Sequence, residues 1–423
     1  MPERTTGPTE AGFAAGAAGH GRQAPEGPIL LVTPTWSRHG GIAAHVLTSA
    51  AALAERGSRV EVLVQSIESD ERPAGVLVHE APRLLDPAAT ALERLGPAAT
   101  LAPSLVHFHQ LEDLELTHTL QARAPVLFSV HGYLACTADE YYFKPGQECT
   151  RSHGPMCIPN LALGGCAHTR DPRPLPAAYR RTTRAVRGLH ASDMTISYSS
   201  AVDRHLAANA IEPRRIVPLF ATVAPPPEGE PAPNRVLFAG RVVPSKGLAS
   251  LIRAAPGLDA EFVVCGDGWQ LEEMRRLART LGVGERFDFR GWVSPQELAH
   301  ELSLASLLVI PSIWPEPFGL VGIEALQARR PVVASATGGI ADWLRDGVSG
   351  LLCPPGDAPA LASAVAELLA DPQRRRRMGE AGRRDVLERF SPSRHTDALL
   401  EAYAGARAGW RMRPPAPAGG GDR

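Results

Sequence analysis

The sequence predicts an α/β protein made of two doubly wound domains that face each other across a central cleft. Short apolar runs of strand length alternate with stretches of helical periodicity. The alternation restarts after a Pro-rich segment at 221–233, ATVAPPPEGEPAP. A chain of 423 residues also exceeds one ordinary domain.

Residues 1–27 lack apolar periodicity and are expected to form a disordered tail, without the basic and apolar regions of a signal peptide. Ile29–Thr33 reads as a buried parallel strand, Ile42–Arg56 as a helix closed by Gly57, and Val60–Val64 as the next strand. Further strands are expected at Val76–Val78, Leu105–His109, Val126–His131 and Met194–Ser197, with helical stretches between most of them. This gives a first domain at 28–220, interrupted by a Cys-bearing insertion at 132–175, and a linker at 221–233. The second domain, 234–392, carries strands at Arg235–Ala239, Glu261–Cys265, Phe287–Phe289, Leu307–Ile310 and Pro331–Ser335. Residues 393–411 read as a closing helix and 412–423 as a second disordered tail. In such sheets ligands bind beyond the carboxyl ends of the strands, so both loop sets should border the cleft.

Composition narrows the function. A net charge of −1 argues against bulk attraction to nucleic acid. No apolar run is long enough for a transmembrane helix. The expected location is the cytoplasm, where thiols stay reduced. Lys144 and Lys246 are the only lysines among 44 basic residues. A lysine retained in so Arg-rich a chain suggests a site that needs a compact point charge.

The segment Glu316-Pro-Phe-Gly-Leu-Val-Gly-Ile-Glu324 follows an apolar strand and the loop Pro311-Ser-Ile-Trp-Pro315. A helix is expected to begin near Gly319 and run through Ala328. The N–H groups of Phe318, Gly319, Leu320 and Val321 then lie free at its start, an anion site suited to a diphosphate. Glu324, inside the helix, can accept hydrogen bonds from two ribose hydroxyls, and Glu316, on the loop, can reach a sugar. A bare pair of glutamates at this spacing would be two ordinary helix carboxylates; the strand, Pro-rich loop and helix start favour a site.

The second half resembles the family 4 glycosyltransferases of the GT-B fold, which consists of two Rossmann-like domains. The resemblance rests on the Glu pair together with Arg235–Gly247, Val264-Cys-Gly-Asp-Gly268, Phe289-Arg-Gly-Trp-Val293 and Thr337-Gly-Gly-Ile340, which span most of 235–350 in the expected order. The first half matches more loosely, through Gly40-Gly41 and His131-Gly132. The resemblance implies that Arg241 and Lys246 bind the donor diphosphate, Glu324 the ribose and Glu316 the donor sugar. It places His131 beside the transferred sugar and Gly41 close to phosphate or acceptor. Gly266 is counted with the donor-binding residues, although it and Gly268 read more naturally as turn glycines. The implied reaction is retaining hexosyl transfer from a nucleoside-diphosphate sugar, UDP- ahead of GDP-linked, to a glycan, lipid-linked or natural-product acceptor. It uses no metal and no side-chain nucleophile, because cations and helix N-termini neutralise a leaving group of about two negative charges.

Cys136, Cys149, Cys157 and Cys166 lie in the insertion with His153 and His168 nearby. Structural zinc, free thiols and disulfides all remain open, since no Cys-x2-Cys spacing is present. Tyr133, Tyr141, Tyr142 and Phe143 could offer stacking faces to a sugar. Cys265 and Cys353 read as core or turn cysteines, and His107 and His109 as core or cleft residues. The basic helix around Tyr179–Arg187 reads as a solvated face, with peripheral membrane contact as the second reading. Two enzymatic alternatives stay in view: a zinc-dependent enzyme using the Cys/His segment, and a phosphorylase or epimerase of like fold.

Overall fold

The computed structural model describes residues 27–38, 40–110, 113–134, 136, 149, 151–163, 166, 173–223 and 231–411. Tyr141, Tyr142, Phe143, His168, most of the Pro-rich segment and nearly all of both tails lie outside the described residues.

The first sheet contains Ile29–Val32 (β1), Val60–Val64 (β2), Val76–Glu80 (β3), Leu105–His109 (β4), Val126–Val130 (β5), Met194–Ser197 (β6) and Arg214–Ile216 (β7). The strands are all parallel, in the order β3-β2-β1-β4-β5-β6-β7. Every residue of β1, β2, β4 and β5 is buried. Helices cover both faces, which is why these strands read as continuous apolar runs rather than alternating ones.

The second sheet contains Arg235–Ala239 (β8), Glu261–Cys265 (β9), Phe287–Gly291 (β10), Leu307–Ile310 (β11), Val332–Ser335 (β12) and Gly350–Cys353 (β13). It is parallel as well, in the order β10-β9-β8-β11-β12-β13. The two sheets give the expected pair of doubly wound domains. Strands β7 and β13 are additions to the sequence reading. Both lie at sheet edges, where partial exposure removes the apolar signature: Arg214-Arg-Ile216 is at most half-buried.

Strand order reverses between β1 and β4 and again between β8 and β11. Chains leaving adjacent strands in opposite directions open a crevice at their carboxyl ends. Loops from the β8 and β11 ends, 240–247 and 311–319, therefore lie side by side. Ile313 N–H donates to the Ser245 carbonyl at 2.9 Å. Gly247, with φ of 68°, packs so closely that a Cβ there would sit 1.9 Å from the Pro311 carbonyl oxygen.

Among the helices are Gly41–Glu55 (α1), Leu175–Ala191 (α2), Ser200–Ala208 (α3), Leu320–Gln327 (α4), Pro372–Arg389 (α5) and Pro392–Gly409 (α6). The last returns to the first domain. Tyr403 hydrogen-bonds His107 Nδ1 at 2.8 Å, His395 Nδ1 donates to the Pro218 carbonyl at 2.8 Å, and Trp410 donates to the Gln121 carbonyl at 3.2 Å. A second tie runs between the domains: the Asp342 carboxylate accepts from the Ser200 N–H at 2.7 Å and hydroxyl at 2.6 Å, at the start of α3. No helix among the described residues is long and apolar enough to cross a membrane.

Gly247→Ala places a methyl against an immovable carbonyl at a left-handed φ. It should cost about 2–4 kcal/mol, read as a lower midpoint in urea unfolding; an unchanged midpoint would mean that the two loops are not packed as described.

Candidate functional site

Lys246 and Glu316 sit on the two loops that flank the second reversal point, and they meet. Lys246 Nζ lies 2.7 Å from Glu316 Oε1 and 2.8 Å from Oε2, with the carboxylate buried and the ammonium partly exposed. Ser312 donates to Glu316 as well, and the ammonium lies 5.3 Å from the Trp314 ring centroid. Burial pushes the Glu316 carboxyl upward. Lys246 and the hydrogen bonds from Lys246 and Ser312 outweigh that and hold it below its ordinary value. A buried carboxylate is thus kept ionised by one cation that still reaches solvent.

The helix start after Glu316 is as expected. α4 begins at Leu320 behind Gly319, which adopts φ of 88° and ψ of 59° and supplies no side-chain cap. None of the N–H groups of Phe318, Gly319, Leu320 and Val321 has a partner among the described residues. Trp343 fixes this turn from beneath: its indole donates to the Phe318 carbonyl at 2.6 Å, and a Cβ on Gly322 would fall 2.0 Å from the ring. Gly339 N–H donates to the Glu316 carbonyl at 2.7 Å, and a Cβ on Gly338 would strike the Glu316 backbone.

Across the cleft, α1 begins at Gly41 behind Gly40, again with no side-chain cap. A Cβ on Gly41 would lie 3.5 Å from Leu320 Cδ1. Two uncapped helix starts therefore face one another, each carrying partial positive charge. Arg241 is exposed on the β8 loop and has no hydrogen-bond or ion-pair partner among the described residues. Gly266 packs on that loop's backbone, where a Cβ would lie 1.8 Å from the Gly240 carbonyl oxygen. This fits its reading as a turn glycine. Together these groups form an anion cradle of two helix starts, one paired lysine and one exposed arginine.

Glu324 lies one turn into α4 and is buried. Its Oε1 accepts from the Thr222 hydroxyl at 3.0 Å and from the Thr222 N–H at 3.3 Å. Burial drives its carboxyl above the ordinary value, against the pull of these hydrogen bonds and one from the Val223 N–H.

His131 follows β5 directly, and its Nε2 lies 3.2 Å from His109 Nδ1. It belongs to a group the sequence did not reveal: His45 from α1, His107 and His109 from β4, His131, and His395 from α6. The ring centroids of His45 lie 5.8 Å from His131 and 4.9 Å from His395. Burial lowers all these imidazoles, and repulsion from neighbouring imidazoles adds to it at His45, His107, His109 and His131; His107 and His131 fall to about 3, and His395, drawn partly back by its bond to the Pro218 carbonyl, to about 4. They are neutral at pH 7. His395 gives its Nδ1 proton to the Pro218 carbonyl, so its Nε2 accepts from Ser49 at 3.2 Å. A neutral His131 can exchange hydrogen bonds with a sugar hydroxyl but offers no cation.

All six cysteines are free. Burial, and then Cys149 and Cys157, raise the Cys166 thiol to about 11. These three are therefore neighbours, yet no group of three or more His, Cys, Asp or Glu among the described residues is arranged to hold a metal ion. Cys265 and Cys353 are core cysteines, as expected. The residues missed by sequence reasoning are Thr222, Ser312, Trp343, His45 and His395 as neighbours of the site. Only the polarity of Thr222 beside a Pro-rich run could have hinted at one of them.

Residues 225–385 match the family described as Glycosyl transferases group 1. The chain is 34% identical over 173 residues to the alpha-D-kanosaminyltransferase of Streptomyces kanamyceticus, a match spanning 40% of this chain and only 45% of that relative. It is 30% identical over 425 residues to the D-inositol 3-phosphate glycosyltransferase of Saccharomonospora viridis, covering 90% of this chain and 93% of the relative. Among solved structures, the sucrose-phosphate synthase of Thermosynechococcus elongatus superposes with a TM-score of 0.69 at 23% identity, over 90% of this chain and 99% of that one.

Two outcomes follow from the electrostatics. Lys246→Ala strands a buried carboxylate and should cost about 3 kcal/mol; adding Glu316→Gln should restore much of it, measured by urea unfolding of both variants. The histidines titrate near 6.5 when unfolded but far lower when folded, so the unfolded state binds more protons below that pH. Stability should be full above pH 6.5 and fall steeply toward pH 4. His395→Gln should flatten that dependence, and a flat wild-type curve would contradict the burial of the cluster.

Proposed function

The chain belongs to the group 1 glycosyltransferases, and from that premise we propose that it moves a hexosyl group from a nucleoside-diphosphate sugar to an acceptor hydroxyl. UDP-sugars are placed ahead of GDP-sugars as donors, and a glycan, lipid-linked or natural-product molecule as acceptor. The observation that carries the reading is the Lys246–Glu316 pair beside the uncapped start of α4, with Arg241 on the same loop as Lys246. A diphosphate needs cations and N–H donors, and the sugar beyond it needs an acceptor of hydroxyl protons; this site supplies both.

In the proposed reaction the diphosphate lies over the N–H groups of Phe318 to Val321, facing the α1 start at Gly41. Lys246 and Arg241 take up the charge that grows on it as the glycosidic C–O bond breaks. The acceptor oxygen bonds to the anomeric carbon on the face the phosphate leaves, and its proton passes to the departing phosphate oxygen. Configuration is retained. Glu316, held ionised by Lys246, accepts hydrogen bonds from the donor sugar, and neutral His131 bonds a hydroxyl of the transferred group. No divalent cation enters this scheme, because the protein's own positive groups carry the role. The six free thiols suit a reducing compartment, and the cytoplasm is the proposed location.

The test is thermal unfolding with UDP, GDP and their sugar conjugates in the presence of a chelator, followed by turnover assays. At least one diphosphate should raise the midpoint, and Lys246→Ala should abolish the rise. Glu316→Ala should keep nucleotide binding and lose roughly 100-fold or more in turnover. A chain that binds none of these nucleotides would overturn the proposal. Release of free nucleoside diphosphate with a retained anomer, read by NMR, separates transfer from phosphorolysis and epimerisation.

A further inference from the structure

The two glutamates of the site are stabilised in different ways. Glu316 has a cation; Glu324 has none. All that draws the Glu324 carboxyl toward ionisation comes from neutral donors on two consecutive residues: the hydroxyl and N–H of Thr222 and the N–H of Val223. Charged groups on the neighbouring helix are engaged elsewhere: α5 packs on α4, but its Arg383 donates to the Gln327 carbonyl and its Glu380 pairs with Arg329. Thr222 occupies only Oε1. Both Thr222 bonds fall on this one oxygen, so Thr222 leaves Oε2 open to a further donor.

We propose that Thr222 is a positioning residue for nucleotide binding, holding one oxygen of Glu324 so that the other is presented to the vicinal hydroxyls of a ribose. This rests on the reading of Glu324 as the ribose-binding carboxylate. A carboxylate with four lone-pair sites can serve a fixed donor and a ligand diol together, provided its rotamer is fixed. Thr222 fixes it from outside the helix, at the point where the chain leaves the first domain. A carboxylate without that hydroxyl would turn toward its own helix or take up a proton, and in either case would be a poorer acceptor.

The experiment measures nucleotide affinity by titration calorimetry for wild type, Thr222→Val and Thr222→Ser, with UDP and GDP and with the 2′-deoxy form of each. For the ribonucleotide that the wild type binds, Thr222→Val should weaken binding about tenfold, as expected for losing one hydrogen bond to a charged group. Thr222→Ser keeps the hydroxyl and should stay within about twofold. With the 2′-deoxy nucleotide the wild type should already bind more weakly, and Thr222→Val should add little, since the contact it supports is gone. Equal affinity of wild type and Thr222→Val for the ribonucleotide overturns the proposal. So does an equal loss with both nucleotides in a Thr222→Val protein whose thermal midpoint matches wild type. A wild type that binds ribo and deoxy forms alike removes Glu324 as the ribose contact and this proposal with it. A wild type that binds neither UDP nor GDP overturns the functional reading beneath both.

Discussion

The organising constraint of the second domain is a carboxylate removed from water. Desolvating Glu316 costs several kcal/mol unless a cation and hydrogen bonds replace the lost solvent, and Lys246 and Ser312 do so from two separate loops. For those loops to deliver them, their backbones must nearly touch. Gly247 against Pro311 and Gly338 against Glu316 are the glycines that allow it. Gly322 performs the same service beneath α4 by admitting the Trp343 ring. What first reads as a scatter of glycines is the steric condition for one ion pair and one rigid helix start.

The same logic divides the site electrically. Around Glu316 there is net compensation by charge, so its ionisation survives burial. Around Glu324 there is compensation by dipoles alone, and burial still wins in part. In the first domain the histidine cluster goes the other way: four buried imidazoles and the partly exposed His131 stay neutral. Buried polarity is thus met without charge in the histidine cluster and with charge at Glu316.

Much of this was legible in the residues. Parallel strands buried on both faces announce themselves as apolar runs, so β1, β2, β4 to β6, β8, β9, β11 and β12 were each read close to their observed bounds. The α4 start could be placed because Pro and Gly punctuate it. Edge strands such as β7 lack the signal because half their surface meets water. Partnership was hidden for a different reason. Lys246 and Glu316 were each picked out, but they lie 70 residues apart and nothing local shows that they touch. Thr222 falls inside the Pro-rich linker at 221–233, and its bond to Glu324 spans 102 residues. His45, His109 and His395 come from three segments, and each alone is an ordinary core histidine. The cysteine segment left several chemistries open, and its described residues show neighbouring thiols without a metal-binding geometry.

The C-terminal helix α6 belongs to the first domain by packing and to the second by chain order. The chain therefore passes between the domains twice, once beyond Val223 and once between α5 and α6. The bonds of α6 to His107 and to the Pro218 carbonyl, and those of Asp342 to the start of α3, then join the two domains at points far apart in sequence.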